Sequence, residues 1–147
     1  GGSLVQQRDD FIPDTSEWEW IVKNEKLDDK LIDDMALGVS IAKYLKSNAI
    51  AIVKDQQLIG MGCGQPSRVD AVKLAIEKAK IFGHDLNGAI LASDGFFPFA
   101  DSVDLAYKNG IVAIVEPGGS IHDRDIISYC QENDLILSFT NIRNFKH

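Results

Sequence analysis

From Asp28 onward, apolar runs of strand length alternate with helical stripes and short turns, which leaves the chain very few folds. Leu31, Ile32, Met35, Val39, Ala42 and Leu45 recur at spacings of one, three or four, the stripe of an amphipathic helix that stops before Asn48. Asp28 and Asp29 at its start and Lys43 and Lys46 at its end suit the helix dipole. Ala49–Val53 and Leu58–Met61, joined by Lys54-Asp55-Gln56-Gln57, read as a β-hairpin. A helix follows from Arg68 to Phe82, capped by Ser67 and ended by Gly83. Then come a strand Ala89–Ser93, a helix Asp101–Lys108, a strand Ile111–Val115, a helix Asp123–Asn133 and a strand Leu135–Phe139. Strands separated by helices need crossover connections and so become parallel neighbours, while the hairpin adds antiparallel pairing. The expected fold is α/β, a three-layer sandwich with a mixed, mostly parallel sheet in a domain covering 27–147. Residues 1–26 show no sustained period and read as an amino-terminal arm. In it, Trp18, Trp20, Ile21 and Val22 alternate with polar neighbours, as in an extended segment meeting a partner surface or the domain's own flank.

In open α/β sheets ligands bind beyond the carboxyl ends of the strands, so the strand exits carry the functional question. Three have unusual composition, Gly62 to Arg68, Ser93 to Asp101 and Glu116 to Ser120, and the tail after Phe139 makes a fourth. The second sets Phe96, Phe97, Pro98 and Phe99 among Asp94, Asp101 and Asp104, which makes either a packed corner or the wall of a pocket. The three aspartates suit general acids or helix caps. Pro117-Gly118-Gly119-Ser120 before a helix suits a phosphate or carboxylate cradle, or else a tight turn plus a cap, and it lacks the P-loop lysine. Arg68 and Arg143 are candidates for gripping an anion with two bonds. His147 is a candidate base or ligand, or a frayed terminus, whereas His84 and His122 read as surface residues.

A net charge of −7 without any basic stripe excludes a general nucleic-acid binder, but not an anionic small ligand held by a few local arginines. The only two cysteines, Cys63 and Cys130, lie far apart, which gives no disulfide framework and points to a reducing, cytoplasmic setting. No apolar run approaches the roughly 20 residues that span a bilayer, and no signal peptide is read at the start. The chain opens on Gly1 with no starting Met, as in a processed or tagged product or a piece of a longer chain. The zinc deaminase pattern, His-x-Glu followed by Pro-Cys-x-x-Cys, is absent. The residues by themselves describe an α/β domain with one polar-aromatic edge suited to a planar, anionic small molecule.

Five motifs say more. Lys46-Ser47-Asn48-Ala49, Gly64-Gln65-Pro66-Ser67-Arg68-Val69-Asp70, Ala92-Ser93-Asp94-Gly95-Phe96-Phe97-Pro98-Phe99, Pro117-Gly118-Gly119-Ser120 and Arg143-Asn144-Phe145-Lys146-His147 occur in that order. Together with the opening Gly1 to Gln6, they closely resemble the carboxyl-terminal part of the AICAR transformylase family, over essentially the whole chain. That family transfers a formyl group from 10-formyltetrahydrofolate to AICAR, giving FAICAR and tetrahydrofolate on the route to IMP. The resemblance implies a cytidine-deaminase-like subdomain without the zinc site, the second of two.

It further implies that Asn48, Arg68, Phe96 and Arg143 contact AICAR, with Phe96 against the imidazole and Arg143 at the phosphate. Val69, Asp101, Ser120 and Ile121 would line the folate site, and Phe145 and His147 would close the pocket. The proton-transfer pair of the family, an adjacent Lys and His, belongs to the first transformylase subdomain, so no catalytic residue is expected here beyond His147 as an auxiliary. The implied partners are that first subdomain, the cyclohydrolase domain and a second copy in a homodimer. A monovalent cation bracing the tail is also within the resemblance. Three positions depart from the pattern: Gly95 for alanine, Asn144 for histidine or leucine, and Ala100 for an arginine whose loss is expected to weaken folate binding or an ion pair. The alternative to a transformylase part is a stand-alone, non-catalytic nucleotide- or folate-binding module.

Overall fold

The computed structural model describes residues 13–141. After a single 3₁₀ turn at Thr15–Glu17 come β1 (Glu19–Val22), α1 (Asp29–Tyr44), β2 (Ile50–Lys54) and β3 (Gln57–Gly62). They are followed by α2 (Arg68–Ile81), β4 (Ile90–Ser93), α3 (Asp101–Lys108), β5 (Ala113–Glu116), α4 (Asp123–Glu132) and β6 (Ile136–Phe139). Local chemistry sets the helix starts. Asp28 accepts the Leu31 N–H at 2.8 Å, and Ser67 accepts that of Asp70 at 3.1 Å while its hydroxyl reaches the Asp70 carboxylate at 2.8 Å.

The strands form one sheet in the order β1-β6-β5-β4-β2-β3. β4, β5 and β6 are parallel, β2 runs against β4, and β3 runs against β2. Four strands therefore point one way; the sheet is mixed, as expected, and its parallel pairs, β4 with β5 and β5 with β6, lie in the middle. The extended stretch around Trp20 and Val22 is β1, antiparallel to β6 at the edge of the sheet. Side chains alternate across the sheet. Ile90, Ala92, Ala113, Val115 and Ile136 bury against Met35 and Leu31 of α1 on one face, with Trp18 beside them. Ile50, Ile52, Leu91, Ile114 and Leu137 bury on the other face with Ala71, Val72 and Ala75 of α2, Val103 of α3 and Ile126 of α4. Helix, sheet and helices make the three layers.

Two local differences from the sequence reading have clear causes. The hairpin turns on two residues rather than four, because Asp55 and Gln56 both take positive φ (51° and 61°) and the strands run on to Lys54 and Gln57. Buried Asp34 of α1 holds that turn, accepting the N–H groups of Gln56 at 2.8 Å and Asp55 at 3.2 Å. β5 begins at Ala113 rather than Ile111, because the Ile111 N–H closes the end of α3 on the Ala106 carbonyl at 3.2 Å. No helix among the described residues is long and apolar enough to cross a membrane.

Candidate functional site

Because β3, β4, β5 and β6 point the same way, their carboxyl ends share one edge of the sheet, and the amino end of antiparallel β2 lies there too. The loops 62–68, 93–101 and 116–123 and the approach to β2 at Ser47-Asn48 thus converge. Asn48 is tied to the first of them. Its N–H and its side-chain amide both donate to the Gln65 carbonyl, at 3.2 and 3.1 Å, and the Ser47–Asn48 peptide is cis.

At the centre of the edge is an ion pair. The Nη1 of Arg68, the first residue of α2, binds Oδ1 of Asp94, and both side chains are only 11% exposed. Asp94 also accepts the Ala49 N–H at 2.9 Å and the Ser47 hydroxyl, so one carboxylate joins α2, the start of β2 and the end of β4. Gly95 lets the guanidinium come close to the backbone, since a Cβ there would run into Nη2 and stand 3.3 Å from Cζ.

The aromatic loop divides. Phe97 is fully buried, while Phe96 and Phe99 keep 46% and 59% of their surface exposed on this edge. The loop is thus a packed corner at Phe97 and an exposed aromatic edge at Phe96 and Phe99. Phe99 approaches the ring of His122, centroids 5.4 Å apart, which brings the start of α4 alongside. Below them lies Glu116, the last residue of β5 and completely buried. Its Oε2 accepts the Phe97 N–H at 3.3 Å, and its Oε1 has no partner among the described residues. Burial pushes this carboxyl up to about 8, with nearby Asp123 pushing the same way. The N–H groups of Phe97 and Gly118 and the charge of Arg68 pull against that rise. The Pro117–Ser120 turn closes on itself: the Gly119 N–H donates to Asp123 at 2.7 Å and the His122 N–H to the Ser120 hydroxyl at 3.0 Å. Its geometry is that of a tight turn leading into α4, whose N-cap residue, His122, makes no side-chain cap.

Of the sequence candidates, Asn48, Arg68, Val69, Phe96, Asp101, Ser120 and Ile121 all lie in these loops or at the first turns of α2 and α3. Ile121 is 94% exposed, and Asp101 is exposed at the first turn of α3, accepting the Ser102 N–H at 2.8 Å. Arg143, Phe145, His147 and Asn144, with the tail a cation would brace, lie outside the described residues. Among the described residues no group of three His, Cys, Asp or Glu side chains is placed to hold a metal. Sequence reasoning missed two residues. By sequence Asp94 reads as an acid or a cap, and Glu116 as the edge of a turn. The signal for Glu116 was its place, a carboxylate ending the apolar run Ala113-Ile114-Val115.

Comparison with known proteins agrees with this architecture. The family model described as AICARFT/IMPCHase bienzyme matches residues 1–78. The bifunctional purine biosynthesis protein PurH of Clostridioides difficile is 48% identical over 147 residues, all of this chain and 28% of that protein. PurH of Bacteroides thetaiotaomicron is 46% identical over 146 residues, and PurH of Aquifex aeolicus 43% over 147, again 29% and 28% of the relative. The chain thus spans little more than a quarter of the length of these relatives. Among solved structures, a diaminohydroxyphosphoribosylaminopyrimidine deaminase/5-amino-6-(5-phosphoribosylamino)uracil reductase of Thermotoga maritima superposes with a TM-score of 0.53 at 21% identity, over 77% of this chain and 35% of that one. RibD of Acinetobacter baumannii gives 0.50 at 18% identity, over 78% and 35%. These likenesses concern the fold alone, an α/β sandwich. With a family model matched over more than half its length, the chain belongs to the AICARFT/IMPCHase bienzyme family.

Proposed function

We propose that this chain is the second, carboxyl-terminal transformylase subdomain of an AICAR transformylase, and that its loop edge supplies AICAR and folate contacts for formyl transfer from 10-formyltetrahydrofolate. The observation that carries this reading is the convergence of Asn48, Arg68, Phe96, Asp101 and Ser120 on the one edge where the strands end. Phe96 offers an exposed ring for a planar heterocycle, and Arg68 keeps Nη2 for an anion or carbonyl while Nη1 is held by Asp94. Val69, Ser120 and Ile121 are then the folate-side surface, with Asp101 accepting hydrogen bonds from the pterin. Arg143, Phe145 and His147 complete the pocket from the tail.

The amine of AICAR is a weak nucleophile, so transfer needs a base and a donor to the formyl oxygen in the transition state. In this reading those come from the first subdomain, and the isolated chain binds without turning over. The cyclohydrolase domain and a second copy complete the cytoplasmic enzyme.

The test is calorimetric titration of the chain with AICAR and then with a folate analogue. AICAR binding lost in Arg143→Ala, and folate binding lost in Asp101→Ala, are expected. Binding indifferent to both variants, or formyl transfer by the isolated chain, would overturn the assignment.

A further inference from the structure

Glu116 has a place in the site that none of the expected ligand contacts accounts for. It is completely buried between two loops, with Oε2 on the Phe97 N–H at 3.3 Å and the Gly118 N–H also turned to it. Phe97 is itself fully buried and adjacent to the exposed Phe96, so whatever fixes the Phe97 backbone also places the base of the neighbouring side chain. Gly118 begins the turn into α4, at a φ of +75° and packed against the ring of Phe139. One carboxyl therefore joins the aromatic loop to the turn beside it.

The surroundings define which form of the carboxyl fits. The charged or titratable groups facing it among the described residues are Asp123 and Cys130 from α4 and Arg68 from α2, and the aromatic loop presents only backbone. Asp123 is another acid, itself with a buried oxygen lacking a partner, and Arg68 is already committed to Asp94. A carboxylate here would be a buried charge with one oxygen unmatched and an acid nearby, an arrangement that costs far more than a neutral acid.

We propose that Glu116 is the positioning residue of this edge, a clasp that carries a proton while it holds Phe97, and with it the base of the Phe96 side chain, against the Pro117–Ser120 turn, and that the ionised carboxylate, a buried charge with one oxygen unmatched, opens this contact to reach water in spite of the N–H donors. The consequence for AICAR rests on the function proposed above, whereas the clasp itself does not.

The experiment follows the backbone amides of Phe97 and Gly118 by nitrogen-15 NMR in the full chain from pH 5.5 to 9.5, with Glu116→Gln as the comparison. Glutamine keeps the shape and the acceptor without the proton. In the wild type both amides are expected to move together in one step centred near pH 8, and in Glu116→Gln the step is absent. The Glu116 side-chain carbon, followed by carbon-13 in the wild type alone, reports the same step even if the variant folds poorly. A carboxyl that titrates below pH 6, amides without the step, or a step retained in Glu116→Gln would overturn the proposal.

The AICAR arm is separate. Affinity is expected to fall about tenfold from pH 7 to 9 in the wild type, where the ligand's phosphate has already ionised, and to hold constant in Glu116→Gln. Amides that step while AICAR affinity stays flat would overturn the link to Phe96. AICAR that binds at no pH would overturn the proposed function, and the amide step still decides the clasp.

Discussion

Replacing Arg68 by alanine should be strongly destabilising for a change at this edge of the sheet. Arg68 and Asp94 are each 11% exposed, so removing the guanidinium strands a carboxylate in poorly hydrated surroundings. Breaking a buried pair in this way typically costs about 3–5 kcal/mol. Here the lower end applies, about 3 kcal/mol, because Asp94 keeps the Ala49 N–H at 2.9 Å and the Ser47 hydroxyl. For a chain of this size that corresponds to a fall in Tm of roughly 10 °C. Asp94→Asn should cost less, about 2 kcal/mol, since a long guanidinium can turn its head toward water. The double variant then costs about 2 kcal/mol less than the sum of the singles, because the second change no longer breaks a pair. Urea unfolding at pH 7 followed by tryptophan fluorescence reads all three, with buried Trp18 as reporter. Costs that add to within about 0.5 kcal/mol, or an Arg68→Ala loss below about 1 kcal/mol, would refute the view that the pair is a buried structural link.

Glu116 sets a pH dependence of known sign. Its carboxyl stands at about 8 in the folded chain against 4.5 otherwise, so between those values the folded state holds a proton that the unfolded state has lost. Stability should fall with rising pH across that window by at most ~1.4 kcal/mol per unit and level off above it. Glu116→Gln removes the slope and gains on the wild type from pH 5 to 8, and parallel melting curves for the two proteins would exclude the effect. Gly60→Ala places a Cβ into the Ala75 carbonyl of α2 and 3.1 Å from Ala79, where only backbone movement gives relief. A loss of about 3 kcal/mol in urea unfolding is expected, and a change below about 1 kcal/mol would mean that α2 lies less close to β3. Gly118→Ala combines a φ of +75° with a Cβ 2.8 Å from two ring carbons of Phe139. It should cost about 2–3 kcal/mol by the same assay, and an unchanged midpoint would contradict the geometry of the turn.

The fold was legible because its elements obey one rule each. The stripe from Leu31 to Ala42 has a single helical period and a single apolar partner, and the runs 50–53, 90–92 and 113–115 are apolar at every position because the sheet is covered on both faces. The edge of the sheet that carries the site followed from the crossovers, since parallel strands leave their exits together. What the sequence concealed were long-range polar choices. Nothing near Asp34 in sequence shows that its carboxylate will hold a turn 21 and 22 residues away. The two-residue turn was hidden for a related reason: Asp55-Gln56 lacks the glycine that usually marks it, and Asp34 supplies the stabilisation instead.

The same distinction explains how far the candidate site could be read. Arg68 stood out because an arginine beside a glycine- and proline-bearing loop is an anion clamp by type, yet type does not say how many of its donors are free. Asp94, 26 residues away, takes Nη1, and Gly95 leaves room for the guanidinium to lie there. Arg68 is therefore first a strut, joining α2 to β4 at this edge of the sheet. In the function proposed above such a residue would be pre-oriented, because the Asp94 bond restricts the guanidinium beforehand and lowers the ordering cost at binding. Glu116 completes the logic on the neighbouring loop. One buried acid sets the guanidinium, another sets the aromatic wall, and both act through partners that only the parallel sheet brings within reach.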